Sequence, residues 1–338
     1  MYESFYGLTG KPFQLNPDPS FFFGSRGHKR AFAYLQYGLY QSEGFIVITG
    51  EVGAGKTTIV RSLLEQLDRT KVVAAQLVST QLDAEDILRA VGAAFGLPIK
   101  SVDKAELLAT LEAFLCSLVT EKKRALLVVD EAQNLTARAV EELRMLSNFQ
   151  LGEHALLQSF LVGQPELRQL MQSPQMQQLR QRVIASYHLG PMDRQETQAY
   201  VEHRLKHVGW NGDPGFDPSA FDAIYTSSAG IPRRINTLCN RVLLAGYLAE
   251  KHAISAGDID AVVTEIKQEF GPGAVAPVVV GSDVTRIAPN VSPGSLETVI
   301  GIEDRLGRLE RTMTATIDLL HQLLHKERPD KASNRVGG

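Results

Sequence analysis

Gly50-Glu51-Val52-Gly53-Ala54-Gly55-Lys56-Thr57-Thr58 is the stretch on which the reading of this chain turns. It fills every position of the pattern G-x-x-x-x-G-K-[ST]. Each residue type in it has a physical task. Glycines let backbone N–H groups turn inward around an anion, and a helix start adds its dipole. A lysine brings a point charge to phosphate oxygens, and a hydroxyl one residue later is a hard ligand for Mg²⁺. The context agrees. Phe45-Ile46-Val47-Ile48-Thr49 before it is a short β-rich run, and residues 59–67 after it carry apolar side chains at helical spacing. Gly50 to Thr58 therefore read as a phosphate-binding loop, with Lys56 on the β- and γ-phosphates and Thr57 on the metal.

A second motif lies downstream, Leu126-Leu127-Val128-Val129-Asp130-Glu131. Four apolar residues bury a strand, and two carboxylates emerge at its end, where ligands of open α/β sheets bind. Asp130 is the candidate to hold Mg²⁺, mostly through water. Glu131 is the candidate to orient and polarise an attacking water. The plainer alternative is a solvated pair of charges capping the next helix. No Asn in the chain is followed by Lys, so an Asn-Lys-x-Asp guanine reader is missing and ATP is favoured.

Working outward, helical patterns occupy 28–40, 59–67, 84–95, 105–118 and 137–149, and apolar strands occupy 72–78, 125–129 and 156–162. Strands that are almost wholly apolar and alternate with helices predict a parallel sheet covered on both faces. That gives an α/β domain over 28–190. After about 190 the strands stop. Helices are expected at 194–208, 219–228, 233–250 and 256–270, with caps at Asp217-Pro218-Ser219 and Ser255. This is a small all-helical lid over 191–270. Residues 1–27 are rich in Pro, Gly and aromatics. Tyr2, Phe5, Tyr6, Phe13, Phe21 and Phe22 would not be left in water, so they read as an ordered extended arm packed on a domain. Residues 271–295 lack periodicity and read as a linker. In 296–325, Val299, Leu306, Met313 and Leu320 are seven apart, and Ile302, Leu309 and Leu323 follow the other seam, broken by Thr316. That predicts a short coiled coil that self-associates or folds back on the body. Residues 326–338 read as a disordered tail.

Composition excludes several classes. The chain has 338 residues, 44% hydrophobic and 22% charged, enough for a sizeable core. A net charge of −3, from 35 basic against 38 acidic residues, argues against coating nucleic acid by bulk charge. Two cysteines, Cys116 and Cys239, make no disulfide framework and read as core thiols. No apolar run reaches about 18 residues, and no signal peptide is visible. The expectation is a soluble, cytoplasmic protein without a transmembrane segment. His203 and His207 are four apart but lack an obvious third ligand, so they read as a solvated helix face. Trp210 is a loop anchor or an exposed contact.

The two motifs with a helical lid resemble AAA+ ATPases, within the P-loop NTPases. The opening Tyr6-Gly7-Leu8, Pro12-Phe13 and Pro17-Asp18-Pro19-Ser20-Phe21-Phe22-Phe23 is more specific. With the phosphate loop, Asp130-Glu131-Ala132-Gln133-Asn134-Leu135 and Gly230-Ile231-Pro232-Arg233-Arg234-Ile235-Asn236, it resembles the general secretion pathway protein A (ExeA/GspA-like) family over roughly residues 1–270. Long members of that family continue into a transmembrane helix and a peptidoglycan-binding region. This sequence shows neither, and in that it looks like the shorter ATPases associated with exosortase (XrtA/PEP-CTERM) and exopolysaccharide systems.

The resemblance implies further site residues. Gln164, after Leu161-Val162-Gly163, stands where a polar sensor of the γ-phosphate is placed; otherwise it is an ordinary strand-end polar residue. Arg182, with Arg180 as second choice, resembles an arginine finger acting in trans on a neighbour's γ-phosphate; either could instead be a surface helix arginine. Arg233 resembles the lid sensor. It lies in the first turn of a helix, where a cation opposes the dipole unless an anion is near. Arg26 to His28 and the preceding aromatics would line the adenine pocket. The leading reading is an Mg²⁺-dependent ATPase that self-assembles with ATP. It would drive conformational change or assembly of a secretion or polysaccharide-export system at the inner membrane. Two alternatives stand beside it. One is a DNA-acting ATPase of the transposition or origin-recognition type. Against it, residues 176–246 carry eight Lys and Arg and six Asp and Glu, a net of only +2. The other is a nucleotide-dependent scaffold with negligible hydrolysis, which an intact Lys56, Asp130 and Glu131 argue against.

Overall fold

Runs of valine, isoleucine and leucine form the central strands because such side chains pack well on both faces of a pleated surface. A computed structural model describes residues 1–16, 18–78, 82–98, 103–152 and 154–270, with the side chain of Phe270 excepted. They all fall in one unit, Met1–Val279. The expected linker (271–295), coil (296–325) and tail (326–338) lie outside the described residues.

From the amino end come α1 (Tyr2–Phe5), α2 (Arg26–Gln41), β1 (Phe45–Gly50), α3 (Lys56–Gln66), β2 (Val72–Val78), α4 (Ala84–Ala94), α5 (Lys104–Thr120) and β3 (Arg124–Asp130). Then follow α6 (Ala137–Leu146), β4 (Gln150–Leu151), β5 (His154–Ala155), β6 (Leu157–Gly163), α7 (Pro165–Gln172), α8 (Gln177–Arg180) and β7 (Val183–Leu189). The lid holds α9 (Arg194–His207), β8 (Gly215–Phe216), α10 (Pro218–Ser228), α11 (Pro232–Leu248), β9 (Ala253–Ile254) and α12 (Ala256–Phe270).

Five strands form one parallel sheet in the order β2-β3-β6-β1-β7. Alternation along the strands divides the core. Phe45, Val47, Leu127 and Val129 face a cluster with Ile87, Leu111 and Leu143 from α4, α5 and α6. Ile46, Ile48, Leu126 and Val128 face another with Leu35 and Ile59 from α2 and α3. The expected parallel sheet with helices on both faces is thus the observed fold.

Four features differ from the sequence reading. β7 closes one edge of the sheet, where the apolar pattern predicts no strand. Its outer face is half-exposed, so it lacks the all-apolar signature of the inner strands. α6 stops at Leu146, where Ser147 to Phe149 turn into the small β4–β5 ladder. The lid is not purely helical, since β8 and β9 pair in parallel. The arm is not simply extended: it holds α1 and a single 3₁₀ turn, Pro19–Phe21, started by the Asp18 carboxylate.

The arm packs into the lid. Tyr2, Tyr6, Leu8, Phe13 and Phe21 share one core with Val201, Leu205, Ile235, Leu238, Val242 and Ile259. Tyr2 Oη donates to Asn240 Oδ1 at 2.8 Å, and Tyr6 Oη to Lys251 O at 3.1 Å. Arg204 of α9 is 6% exposed and makes three hydrogen bonds, two of them to the arm. Nε donates to Pro12 O (2.5 Å), one terminal nitrogen to Gln14 O (3.4 Å), and the other to Tyr200 Oη (3.0 Å). Its guanidinium also lies 4.6 Å from the Phe21 ring centre. His207 and His203 pack on Phe21 and Phe23, and among the described residues no group of three His, Cys, Asp or Glu is arranged to hold a metal. Cys239 is fully buried, which pushes its thiol well up, and Cys116 is half-buried. Trp210 is a loop anchor, its Nε1 donating to Pro214 O at 3.0 Å.

Candidate active site

The strand order reverses at β1, whose neighbours β6 and β7 come later in the chain. Such a reversal opens a crevice at the carboxyl ends of the strands. The loop after Gly50 sits there and leads into α3. Gly53 and Gly55 adopt φ of +81° and +99°, which favours glycine. A Cβ on Gly53 would lie 2.3 Å from Arg233 Cβ, and one on Gly55 would lie 2.6 Å from His28 Nε2. Both glycines are thus required twice, by conformation and by a close neighbour.

Lys56 is buried, with Nζ donating to Gly50 O (2.7 Å) and Glu51 O (3.0 Å). Burial lowers its ammonium pKa, against the opposing pull of Glu131, Asp130, Glu51 and Glu166. Thr57 Oγ1 donates to Asp130 Oδ2 at 2.9 Å, joining the head of α3 to the end of β3. The other Asp130 oxygen accepts the Glu131 N–H at 3.0 Å. Thr57 and Asp130 thus form a pair of hard oxygens of the kind Mg²⁺ takes, beside a cradle that a Cβ would fill. A cation there would need oxygens from a bound phosphate and water to complete its shell.

Glu131 is one of the few non-glycine residues at positive φ, +53°. The left-handed turn at the strand end re-aims its carboxylate. Oε2 accepts from Gln133 Nε2 (2.6 Å) and from Gln164 Nε2 (3.1 Å). The amide of Gln133 is oriented by a third bond, since its Oε1 accepts the Gln164 N–H at 2.9 Å. Burial raises the Glu131 pKa, but the two amides and the Lys56 ammonium outweigh it and hold the carboxyl below the ordinary glutamate range. Gln133 is a site residue that sequence reasoning quoted but gave no task. The available signal was its place two residues after Glu131, at the mouth of a buried strand.

A cleft of ≈ 380 Å³ runs from this end of the sheet to the lid and arm. Val52, Gly53, Gly55, Lys56, Thr57, Thr58, Glu131 and Arg233 line it, together with His28. Gly50, Glu51, Ala54 and Asp130 are not part of that lining. Arg233 also ties the lid to the loop, its N–H donating to Gly53 O at 3.1 Å. The far end is built from Gln14, Leu15, Asp18, Phe21, Phe22 and Phe23 of the arm with Tyr200, Arg204 and Asn236 of the lid. Of the expected set 26–28, His28 faces the cleft. Arg26 pairs instead with Asp193 and Glu196 at the start of α9.

The two candidate finger arginines are not brought to this cleft. Val183 pairs with Phe45 at the entry end of β1. That puts Arg182 roughly 20 Å along the strand from the loop. Its guanidinium donates to Ser147 O (3.0 Å) and Oγ (3.2 Å). Arg180 donates to Met171 O and Ser173 O, both at 2.7 Å. Neither can reach the cleft of its own chain from there.

Comparison with known proteins bears on the fold and on the relatives of the chain. Residues 39–171 match the family described as an AAA domain. General secretion pathway protein A of Aeromonas hydrophila is 40% identical over 267 residues, which are 79% of this chain and 48% of that protein. The chain therefore spans about half the length of that relative. Cdc6p from Pyrobaculum aerophilum superposes with a TM-score of 0.56 at 16% identity, over 78% of this chain and 70% of that one. The ORC2 protein of Aeropyrum pernix gives 0.55 at 19% identity, over 71% and 66%. Among the described residues no helix is long and apolar enough to cross a membrane. The fold is that of the AAA+ proteins, and the chain carries an AAA domain related in sequence to general secretion pathway protein A.

Proposed function

We propose that the protein is an Mg²⁺-dependent ATPase. It would serve as a nucleotide-driven switch or assembly motor for a secretion or exopolysaccharide-export system, of the exosortase-associated kind, working in the cytoplasm against inner-membrane partners. The observation that carries the reading is the juxtaposition of Lys56, the Thr57–Asp130 pair and an oriented Glu131 at one crevice. The 40% identity to a secretion protein supports the context.

In this reading the inward N–H groups of the loop and Lys56 hold the β- and γ-phosphates. Thr57 and Asp130 would hold Mg²⁺, which when bound would neutralise charge on the phosphate oxygens. Glu131 orients a water and accepts its proton, using the oxygen left free by the two amides. Gln164 and Arg233 contact the γ-phosphate from the sheet and the lid. Arg182 completes the charge stabilisation on a neighbouring copy, because it cannot reach its own cleft. The arm and lid enclose the base.

The test is phosphate release by the full chain. Glu131→Gln should lower the rate by about 10²-fold or more with nucleotide binding kept, the range for removing a general base. Lys56→Ala should abolish binding. Equal rates for wild type and Glu131→Gln would remove Glu131 from the chemistry and leave the scaffold reading.

A further inference from the structure

His28 is a buried imidazole, 6% exposed, with both nitrogens engaged. Nε2 lies 3.0 Å from Ala54 O, and Nδ1 lies 2.6 Å from Ser25 Oγ. A carbonyl only accepts, so Nε2 carries the hydrogen. Nδ1 then accepts from the Ser25 hydroxyl, which also caps α2 by accepting the His28 N–H at 3.3 Å. The Phe22 ring stands edge-on at 6.1 Å. The ring is thus a fixed strut between the first turn of α2 and the phosphate loop.

We propose that His28 is a positioning residue for phosphate binding: by gripping the Ala54 carbonyl, it turns the Gly55 N–H away from its own ring and onto the phosphates of a nucleoside di- or triphosphate. The proposal rests on the nucleotide-binding reading of the cleft. The geometry behind it is covalent. In a planar trans peptide the C=O and the following N–H point in opposite directions. A donor that holds Ala54 O on one side therefore aims the Gly55 N–H at the opposite one, and Gly55 lines the cleft. Gly55 is the residue before α3, where free N–H groups and the helix dipole favour an anion. Among the described residues the Gly55 N–H donates to nothing. The neighbouring carbonyls are held by other means. Lys56 takes Gly50 O and Glu51 O, and Arg233 N–H takes Gly53 O. Lys56 must swing away to meet a phosphate, and Arg233 belongs to the lid. His28 is the strut that does not have to move when phosphate arrives. It also fixes the identity of residue 55, since any Cβ there would meet the ring.

The test is ADP affinity with Mg²⁺, measured by calorimetry on the full chain for wild type, His28→Ala, His28→Gln and Ser25→Ala. The glutamine amide can replace the Nε2–H donor; alanine cannot. His28→Ala should weaken ADP roughly tenfold or more, the scale of one charge-assisted hydrogen bond. His28→Gln should recover most of that loss, and Ser25→Ala, which frees the ring, should fall between. In hydrolysis assays the defect should appear in KM and not in kcat. Unchanged ADP affinity in a folded His28→Ala would overturn the proposal. So would a folded His28→Gln that binds ADP roughly tenfold or more weaker than wild type, a comparison that survives if alanine fails to fold. Wild type that binds ADP without hydrolysing ATP would defeat the ATPase reading alone. Wild type that binds neither nucleotide would overturn both.

Discussion

Glu131 shows how a residue's task is set by its neighbours. One carboxylate oxygen takes both amide donors, and the backbone turns left-handed to present it. Gln133→Ala removes a donor that favours the ionised form, so the Glu131 pKa must rise. A base works only when ionised, so the acidic limb of the kcat–pH profile should move to higher pH. A profile identical to wild type would show that Gln133 does not touch the base. His28 sets a second pH dependence. Burial holds its pKa below the usual imidazole value, while the Ala54 carbonyl and the Glu196 carboxylate pull the other way. The unfolded chain, with an ordinary value of about 6.5, therefore takes the proton first. Stability from this group is complete above that value and is lost as the pH falls from there toward the folded value. His203 is lowered as well, chiefly by burial, and acts in the same direction. Thermal melts of wild type and His28→Gln isolate the His28 share: wild type should lose more Tm on going from about pH 7.5 to about pH 5.5.

At the scale of elements, Arg204 is the bolt between the arm and α9. Replacing it with alanine leaves the Pro12 carbonyl without its donor, leaves Gln14 O with the Asn236 amide alone, and removes the plane on which Phe21 rests. A stranded buried acceptor costs about 1–3 kcal/mol, so Arg204→Ala should lower stability by about that much and make the arm the first site of proteolysis. Limited digestion followed by mass spectrometry would check it; an arm as resistant as wild type would show that the aromatic core alone holds it. The same elements show what a sequence discloses. β1, β3 and β6 were legible because burial on both faces demands unbroken apolar runs. The phosphate loop was legible because anion binding fixes residue types at fixed spacing. β7 was not, because an edge strand needs only half an apolar surface. At the far end of the cleft the aromatics Phe21 to Phe23 were expected, but the polar residues were not, because Gln14, Tyr200, Arg204 and Asn236 meet only through folding and carry no common spacing. Gln133 fell between, since its motif was visible but its partner Gln164 stands on another strand.

For the whole molecule, the finger residue and the cleft lie at opposite ends of the sheet, so one copy is an incomplete catalyst in the proposed mechanism. Arg182→Ala and Glu131→Gln should each be nearly inactive alone. Mixed, they should regain phosphate release well above the sum of the two, because an Arg182→Ala cleft can borrow an intact Arg182 from the other variant. No gain on mixing would remove the trans role. The lid carries a different consequence. Its core joins Tyr2 and Tyr6 to Asn240 and Lys251, partners separated by 238 and 245 residues. During synthesis the arm leaves the ribosome long before the helices that cover it exist. At about 5–20 residues per second, its aromatic side chains wait on the order of 12 to 50 seconds for their partners. The segment that lines the cleft in the folded chain is thus, at birth, an uncovered aromatic surface of the kind that chaperones guarding nascent polypeptides take.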